Sequence, residues 1–320
     1  MSTWLLTGGA GYIGAHVLRA LREAGHDAVV LDDLSTGLPE RLPDDVELLR
    51  VSLLDPDLSG VLTGLVSRRR LDGVVHLAAK KSVPESVAEP LRYYEQNVGG
   101  TVALLRATTA AGIGRVLYSS SAAVYGETSA ERVAEDHPTL PTSPYGETKL
   151  AGEWAVRRHA DAAGQRWSAL RYFNVAGSAS ARLADRGATN LLPLVARAAA
   201  GGEPVAVFGD DWPTPDGTCL RDYVHVEDLA EAHVAAVQAL LDDAAPSPGA
   251  LNVGRNEPTS VLEVIAAVER TQGAPVPYRI APRRPGDPAR VVADASRIAD
   301  VLGWRATRGV DQMAVSPRQD

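Results

Sequence analysis

The stretch TWLLTGGAGYIG, residues 3–14, joins a short apolar run to glycines at positions 8, 11 and 14. An apolar run of strand length, a glycine turn and a helical pattern in this order are typical of the first unit of a dinucleotide-binding sheet. The glycines allow a tight turn, a close approach of the backbone to a pyrophosphate, and close packing of helix on strand. The amide groups at the start of the helix would face the anion. Similar glycine patterns also occur in structural turns that bind no ligand, so the surrounding sequence has to distinguish the two.

Asp32 supplies that context at the end of the next apolar run, AVVLD (28–32). A carboxylate about twenty residues beyond the glycine turn accepts hydrogen bonds from the adenosine ribose of a dinucleotide. It also repels a 2′-phosphate, and residues 33–39 contain no arginine that would neutralise one. The sequence therefore predicts NAD as the cofactor in preference to NADP. The alternative is that Asp32 only caps a loop.

Apolar runs of strand length alternate with helical patterns through the first half of the chain. The runs lie at 4–7, 28–32, 46–51, 72–78, 115–120 and 167–173, and the helical patterns include 12–24 and 91–111. This alternation predicts an α/β fold, a Rossmann-type doubly wound parallel sheet covered on both faces. Residues 1–174 would form the NAD-binding domain, to which a helix over 223–245 would return. Residues 175–320 would otherwise form a smaller, interleaved α/β substrate-binding lobe.

The composition is that of a globular chain of 320 residues, of which 45% are hydrophobic and 22% charged. A formal net charge of −8 argues against nucleic acid or acidic membranes as partners. Cys219 is the one cysteine, so no internal disulfide forms, and no run approaches the ~20 apolar residues of a membrane span. The first residues, MSTWLLTGG, lack the basic leader of a signal peptide. We therefore expect a cytoplasmic protein with no metal, nucleic-acid or membrane partner.

The stretch SPYGETK (143–149) places Tyr145 one helical turn before Lys149, after a proline suited to the start of a helix. A phenol with a pKa of about 10 is a poor base at neutral pH, but a neighbouring ammonium and a positive nicotinamide ring lower that pKa. The phenolate would then take a proton from a sugar hydroxyl while hydride leaves the same carbon. The stretch SSSAAVYG (119–126) offers hydroxyls to hold the substrate oxygen. An exposed Tyr–Lys pair beside a polar loop is the alternative.

TGGAGYIG, SSSAAVYG and PYGETK in this order resemble the extended short-chain dehydrogenase/reductases. RYFNVAG, FGDDWPTPDGTCLRDYVHVEDLA and APRRPGDPARVVADAS are similar to members of that family that epimerise UDP-hexoses at C4. The resemblance covers about residues 3–313 of the chain. It implies NAD-dependent epimerisation of a UDP-hexose, such as UDP-galactose or UDP-glucose, through a transient 4-keto sugar. It also implies a homodimer in which the helix at 91–111 and the helix of Tyr145 pack against their copies.

The resemblance assigns catalysis to Tyr145 as base and acid, Lys149 as its electrostatic partner, and Ser121 as a hydroxyl ligand of the substrate. The residues it places around NAD are Gly8, Gly11, Tyr12, Ile13, Gly14, Asp32, Asp33, Leu34, Ser35, Thr36, Gly37, Ser52, Leu53, Leu77, Ala78, Ala79, Lys81, Asn97, Tyr145, Lys149 and Phe173. The residues it places around the UDP-hexose are Ser121, Tyr145, Asn174, Asn190, Leu191, Ala206, Phe208, Arg221, Tyr223, Arg284, Asp287 and Val291.

Several of these assignments have a structural alternative. Phe173 would lie beside the nicotinamide and Phe208 beside the uracil, but both rings would also fill a core. Arg221 would hold the UDP diphosphate, or it would form a surface salt bridge with Asp222. Val291 falls where the resemblance places the residue that gates the sugar pocket. Valine there would admit an N-acetylated sugar that a tyrosine excludes, unless Arg290 covers the opening; packing in a strand is the alternative.

Three positions depart from the family pattern. Ser52 stands where the family usually has an aspartate that holds the adenine amine, which would weaken that contact. Ala79-Lys80-Lys81 replaces a Gly-Leu-Lys run and adds a positive charge near the cofactor. The short helical segment with which the family continues would be missing after Met313, which would remove packing at that edge.

Other functions are compatible with the same platform. A nucleotide-sugar 4,6-dehydratase needs an acid–base pair, typically Asp-Glu, beside the serine; this chain has Ala122-Ala123 there, so dehydration is disfavoured. Epimerisation of another nucleotide sugar, such as a UDP-N-acetylhexosamine or a sugar of secondary metabolism, stays open. A non-catalytic NAD-binding regulator would be expected to lose the catalytic residues, which are all present.

Overall fold

Thirteen strands and eleven α-helices make up the part of the chain that the computed structural model describes, residues 1–187, 190–284 and 287–315. The strands are β1 Thr3–Thr7, β2 Asp27–Leu31, β3 Leu48–Leu49, β4 Gly73–His76, β5 Arg115–Ser121, β6 Arg166–Tyr172, β7 Asn174–Ala176, β8 Val205–Phe208, β9 Leu220–His225, β10 Gly249–Val253, β11 Pro258–Ser260, β12 Tyr278–Ala281 and β13 Arg290–Val291. The helices are α1 Tyr12–Glu23, α2 Leu58–Val66, α3 Val83–Ala88, α4 Pro90–Tyr93, α5 Gly100–Ala110, α6 Pro144–Ala163, α7 Leu191–Ala199, α8 Val226–Leu241, α9 Val261–Gln272, α10 Ser296–Leu302 and α11 Val310–Ala314.

The larger part of the fold is a seven-stranded sheet in the order β10-β6-β5-β4-β1-β2-β3, in which every pair is parallel. The central strand β4 is buried along its whole length, because helices cover the sheet on both faces. One hydrophobic cluster joins the sheet to α1 and α8, and a second joins it to α2 and α5. The predicted doubly wound parallel sheet is confirmed. In such a sheet the loops that follow the strands share one edge, where ligands bind.

The strands predicted in the first half are present, although β3 is confined to Leu48–Leu49 within the predicted 46–51. The predicted helix over 91–111 is interrupted. A π-helical turn spans Tyr94–Gly99 between α4 and α5. Two successive glycines, Gly99 and Gly100, weaken the regular helix at this point. Gly100 also lies against the loop between β3 and α2, since a Cβ on Gly100 would be 3.3 Å from the Cβ of Leu53.

The predicted helix over 223–245 begins too early. Tyr223 belongs to β9, which pairs with β7 and β11, and α8 starts only at Val226. Tyrosine and valine favour strands where neighbouring strands can pair with them, so tertiary pairing outweighs the helical pattern. His225 then caps α8, because its ring accepts the backbone N–H of Glu227 at 3.1 Å. The helix packs on α1 and leads into β10, so both join the large sheet.

Two smaller sheets complete the fold. β9 pairs with β7, β11 and β13, and β8 pairs with β12. Helices α7, α9 and α11 share a third hydrophobic cluster with them. Two hydrogen bonds connect this region to the start of α1: the hydroxyl of Tyr12 donates to the carbonyl of Gly177 at 2.5 Å, and the N–H of Ala179 donates to the His16 ring at 3.1 Å. The turn after β1 is thereby tied to both parts of the fold.

No helix within residues 1–187, 190–284 and 287–315 combines the length and the apolar character needed to cross a membrane. The same described residues contain no cluster of three or more His, Cys, Asp or Glu side chains placed to hold a metal ion.

Candidate active site

The turn between β1 and α1 depends on its glycines. Gly8 adopts a φ of +72°, and a Cβ there would lie 2.7 Å from the backbone nitrogen of Ala78. A Cβ on Gly14 would lie 2.2 Å from the carbonyl oxygen of Gly8, so only glycine lets α1 pack this closely on the turn. Gly11 precedes α1, and no side chain caps the helix. The first N–H groups of α1 are therefore available to an anion.

Asp32 lies directly after β2 and is buried. Its Oδ2 accepts the N–H of Ala10 at 3.0 Å, and its Oδ1 accepts the N–H of Leu34 at 2.9 Å. Burial raises the pKa of this carboxyl, and the two hydrogen bonds oppose that change. The following loop folds over it, because a Cβ on Gly37 would be 2.7 Å from Oδ1. A carboxylate has about four acceptor sites, so Asp32 retains capacity for ribose hydroxyls.

A cavity of about 640 Å³ lies at the carboxyl edge of the large sheet, with the glycine turn and Tyr145 both in its wall. Most of the predicted cofactor residues line it: Gly8, Gly11, Tyr12, Ile13, Gly14, Asp32, Asp33, Ser35, Thr36, Gly37, Ser52, Leu53, Leu77, Ala78, Ala79, Lys81, Tyr145 and Lys149. The structure therefore brings the residues after β1, β2, β3 and β4 and the start of α6 to one space. Leu34, Asn97 and Phe173 do not line this cavity.

Asn97 and Phe173 have other surroundings. The Asn97 side chain accepts the N–H of Lys80 at 2.8 Å and donates to the carbonyl of Lys80 at 3.1 Å. It also donates to the Thr148 hydroxyl at 3.0 Å, so it connects the loop after β4 to helix α6. The widened π-helical turn carries Asn97 into this position. Phe173 is buried in the core of the large sheet, and its N–H donates to the carbonyl of Val253 at 3.2 Å.

The cavity wall also contains residues that the sequence did not single out, among them Arg41, Glu85, Ser119, Tyr172 and Asp185. Ser119 and Tyr172 lie inside the motif stretches SSSAAVYG and RYFNVAG, at the ends of β5 and β6. Their position in these stretches could have identified them as cavity residues. Arg41 and Asp185 come from loops without such a motif. The extra lysine noted in the sequence, Lys80, also lines the cavity, and its Nζ lies 3.4 Å from the Ser35 hydroxyl.

These features fit a bound dinucleotide. The uncapped start of α1 suits a pyrophosphate, because its N–H groups and the helix dipole both favour an anion. Asp32 suits a ribose that carries free hydroxyls. The glycines leave no side chain where the backbone must approach the phosphates, and the one cavity reaches from this turn to Tyr145. The residues present therefore match NAD.

Tyr145 and Lys149 lie in the first two turns of α6. Ser143 caps this helix by accepting the N–H of Gly146 at 3.2 Å, and Pro144 occupies its first position. Burial raises the pKa of the Tyr145 phenol in the ligand-free protein, and a hydrogen bond with the Ser121 hydroxyl lowers it. The three predicted catalytic residues are thus together, but at this stage Ser121, rather than Lys149, is the group that favours the phenolate.

Lys149 is buried, and its Nζ donates to the carbonyl of Ser119 at 2.8 Å, 5.3 Å from the centre of the Tyr118 ring. Burial lowers the pKa of its ammonium to about 7, and the charge of Glu153 acts in the opposite direction. Glu153 does not pair with it directly. Both of its oxygens bind the guanidinium of Arg171, at 2.9 and 2.8 Å.

The Glu153–Arg171 pair joins α6 to β6 beneath the site. Arg171 also donates to the Tyr125 hydroxyl at 2.9 Å and to the carbonyl of Glu135 at 3.1 Å. The Tyr125 hydroxyl in turn donates to the Asn252 side chain at 2.6 Å. Because all of these groups are buried and bonded, the pair holds α6 in register with the sheet. Tyr125 and Arg171 lie inside motif stretches quoted from the sequence, whereas no motif marked Glu153, Glu135 or Asn252.

The residues predicted to bind the uridine diphosphate lie around the two small sheets. The guanidinium of Arg284 stacks 3.8 Å from the centre of the Phe208 ring. Arg221 reaches Asp287 at 3.4 Å rather than Asp222, and it donates to the carbonyl of Pro288 at 2.9 Å. The alternative of an Arg221–Asp222 salt bridge is therefore wrong.

Charges from three of these residues, Arg221, Asp287 and Arg284, act on the partly buried thiol of Cys219, which places them around one point. Val291 pairs with Arg221 between β13 and β9 and packs partly against the core of the large sheet. Ala206, Phe208 and Tyr223 lie on strands β8 and β9, and Asn174 begins β7. Leu191 begins α7, next to Asn190, whose amide donates to the Asp185 carboxylate at 2.5 Å.

Comparisons with known proteins agree with this arrangement. A sequence model of the NAD dependent epimerase/dehydratase family matches residues 4–254. A UDP-glucose 4-epimerase of Azospirillum brasilense is 45% identical over 94% of this chain and 86% of its own length. One of Streptomyces lividans is 44% identical over 95% of this chain and 92% of its own length.

A solved structure shows the same fold. The UDP-glucose-4-epimerase of Stenotrophomonas maltophila, with bound NAD and formylated UDP-arabinopyranose, is 40% identical. It superposes with a TM-score of 0.91 over 98% of this chain and 96% of that one. The chain belongs to the NAD dependent epimerase/dehydratase family.

Proposed function

We propose that the protein epimerises a UDP-hexose at C4, interconverting UDP-galactose and UDP-glucose with NAD as a resident cofactor. The observation that carries this proposal is the position of Tyr145, which hydrogen-bonds with Ser121, beside Lys149 in the wall of a cavity that fits a dinucleotide. Membership of the family and the printed activities of relatives at 41–45% identity support the choice of reaction.

Tyr145 is the proton-transfer group of the proposed reaction. Its phenolate takes the proton of the 4-hydroxyl, and the Ser121 hydroxyl holds the same oxygen. When bound, NAD supplies a reversible hydride acceptor for C4. The product of this half-reaction is a 4-keto sugar, and Tyr145 returns the proton to oxygen once hydride has come back on the opposite face. No net oxidation of the sugar results.

Lys149 contributes a positive charge beside the phenolate. Its ammonium is fixed to the carbonyl of Ser119, so the charge stays at the end of β5 throughout the reaction. Burial disfavours this charge in the ligand-free protein. An anionic pyrophosphate in the cavity would favour it, and the charged lysine would then lower the pKa of Tyr145.

The bound uridine diphosphate holds the substrate in place while the sugar ring rotates between the two hydride transfers. Arg221, Asp287, Arg284 and Phe208 cluster away from Tyr145's helix, on β8 and β9 and the loop before β13. Arginine pairs with phosphate oxygens through two parallel N–H groups, and Asp287 would meet the uridine ribose. Binding energy from this remote part positions the ring while leaving it free to rotate.

Dehydration is disfavoured by the same geometry. Residues Ala122 and Ala123 form a short 3-10 turn after Ser121, and the N–H of Ala123 donates to the Ser121 hydroxyl at 3.1 Å. Neither side chain can move a proton at C5 or C6. The second candidate is epimerisation of another nucleotide sugar, favoured by the small side chain at Val291.

Tyr145→Phe tests the assignment of the base. The variant should lose about 10²–10⁴-fold in kcat for interconversion of UDP-galactose and UDP-glucose, because it lacks the proton-transfer group, while its Kd for NAD⁺ stays within about threefold of wild type. Tyr278→Phe, at an exposed position on β12, is the matched control and should keep wild-type turnover. Wild-type protein that fails to interconvert the two sugars with NAD⁺ present would refute the proposed reaction. Near-normal turnover of Tyr145→Phe would refute the role of the tyrosine.

Val291→Tyr tests how large a sugar the site accepts. We propose that wild type also turns over UDP-N-acetylglucosamine, because valine leaves volume that an aromatic ring would fill. The variant should lose at least about tenfold of that activity, a loss typical of a steric clash of 1–3 kcal/mol, and keep its turnover of UDP-galactose. Initial rates with both sugars provide the measurement. If wild type handles UDP-galactose but not the N-acetylated sugar, or if the tyrosine changes neither rate, Val291 is not the gate.

We also propose a homodimer formed through α3, α4 and α6. Large apolar side chains stand exposed on these helices: Val83, Val87, Leu91 and Trp154. Leu91 is 82% exposed and Trp154 57%, although α6 packs on β5 and β6, and α4 packs on α6. Exposed apolar residues clustered on neighbouring helices are typical of an interface between copies.

Leu91→Asp should convert the dimer to a monomer at micromolar concentration, because a carboxylate would be buried at the interface without a partner. Leu140→Asp is the matched control, since Leu140 is also exposed (70%) but lies in the loop before α6. Multi-angle light scattering measures both. A monomeric wild type, or a Leu91→Asp protein that remains dimeric, would contradict the proposal.

A further inference from the structure

Arg41 ends a short 3-10 turn, Pro39–Arg41, that follows the loop over Asp32. It lines the cofactor cavity, yet only 6% of its surface is exposed. Its Nη2 donates to the carbonyl of Ala184 at 2.8 Å, whereas its Nη1 reaches the carbonyl of Ala10 only at 3.5 Å. Its buried Nε has no hydrogen-bond partner. A guanidinium has five N–H donors, so Nη1 and Nη2 each retain one N–H without a hydrogen-bond partner, in addition to the buried Nε.

No carboxylate in the described part of the chain lies within ion-pair distance of Arg41; the two acidic groups whose charges reach it are bound elsewhere. The Asp185 carboxylate accepts the Asn190 amide at 2.5 Å and the N–H of Gly187 at 2.9 Å. The Glu40 carboxylate pairs with Arg186 at 3.1 Å. Burial lowers the pKa of Arg41, the neighbouring charge of Arg186 acts in the same direction, and the charges of Asp185 and Glu40 oppose it. A buried, unpaired cation is unfavourable unless an anion completes the site.

The position of Arg41 identifies that anion. Ala10, whose carbonyl it faces, lies within the glycine turn, directly before Gly11 and the uncapped start of α1. The free N–H groups of α1 and the free donors of Arg41 therefore border the same cavity. A phosphate that binds at the helix start would meet both.

We propose that Arg41 binds a phosphate oxygen of the dinucleotide pyrophosphate. The inference rests on the proposed function for the identity of the anion. The contact also couples ligand binding to the segment between β7 and α7, since Arg41 at the same time holds the carbonyl of Ala184. Binding of the cofactor would thereby fix the segment that carries Asp185 to the turn after β1.

A matched control distinguishes phosphate binding by Arg41 from a merely structural role of this residue. Arg182 holds the same turn, with hydrogen bonds to the carbonyls of Glu40 and Leu42. It is exposed and does not line the cavity. Arg182→Met thus removes a guanidinium that stabilises the turn without removing a cavity donor.

The test is calorimetric titration of the nucleotide-free protein with NAD⁺, ADP-ribose and adenosine. Arg41→Met should raise the Kd for NAD⁺ and for ADP-ribose about 10–100-fold, the range for a lost charge-assisted hydrogen bond, and leave the Kd for adenosine within about twofold. Arg41→Lys, which keeps the charge but loses the planar fork, should show a smaller loss of about 3–10-fold. Arg182→Met should bind all three ligands as wild type does.

Equal affinity of wild type and both Arg41 variants for NAD⁺ would overturn the inference. So would an equal loss for adenosine, or an equal loss in Arg182→Met, because either result assigns the effect to the turn rather than to the phosphates. Failure of wild type to bind NAD⁺ at all would remove the proposed function together with this inference. No sugar is present in the titration, so loss of the proposed epimerase activity alone leaves the result valid. Arg41→Lys serves as the decisive variant if Arg41→Met does not fold.

Discussion

The buried ammonium of Lys149 is the constraint around which the site is arranged. It is held to the carbonyl of Ser119, which fixes α6 over the end of β5 and places Tyr145 one turn earlier on the same helix. The nearest carboxylate, Glu153, is already committed to Arg171 and to the Ser120 hydroxyl. Lys149 therefore lacks a direct counter-ion, and burial lowers its pKa to about 7. The site holds a positive charge that the ligand-free protein does not fully support.

Other parts of the cofactor cavity also carry positive or partly positive groups. The start of α1 has no capping side chain, Arg41 is buried without an ion pair among the described residues, and the ammonium of Lys80 lies 3.4 Å from the Ser35 hydroxyl. Positive and partly positive groups thus face a space of about 640 Å³ together with the carboxylates of Asp32, Asp33, Glu85 and Asp185, in a chain whose net charge is −8. A dinucleotide pyrophosphate would satisfy the positive groups together. We expect cofactor binding also to prepare Tyr145 for proton transfer, because a bound pyrophosphate would favour the charged form of Lys149.

Local sequence could predict the parts of this site that depend on short-range geometry. The glycine turn and the Tyr145–Lys149 spacing each involve only a few neighbouring residues. The position of Asp32 is likewise local, because it directly follows a strand. Position 41 follows a loop whose path no motif fixes, so the approach of Arg41 to Ala10 depends on tertiary structure. The hydrogen bonds of Asn97 to Lys80 depend on a π-helical turn, whereas the hydrophobic periodicity predicts a continuous helix there. The local pattern predicts that Tyr223 is helical. It is a strand residue because β9 pairs with β7 and β11, and these pairings involve segments that are distant in the sequence.

We propose that bound NAD⁺ lowers the pKa of Tyr145 through the charge of Lys149 and of the nicotinamide ring. Ultraviolet difference titration of the phenols, with and without saturating NAD⁺, measures this directly. Without NAD⁺, burial should keep the pKa of Tyr145 above the ordinary value of about 10. With NAD⁺, one phenol should titrate at least about one unit below that value, and this step should be absent from Tyr145→Phe and shifted upward in Lys149→Met. A titration that NAD⁺ leaves unchanged would contradict the account.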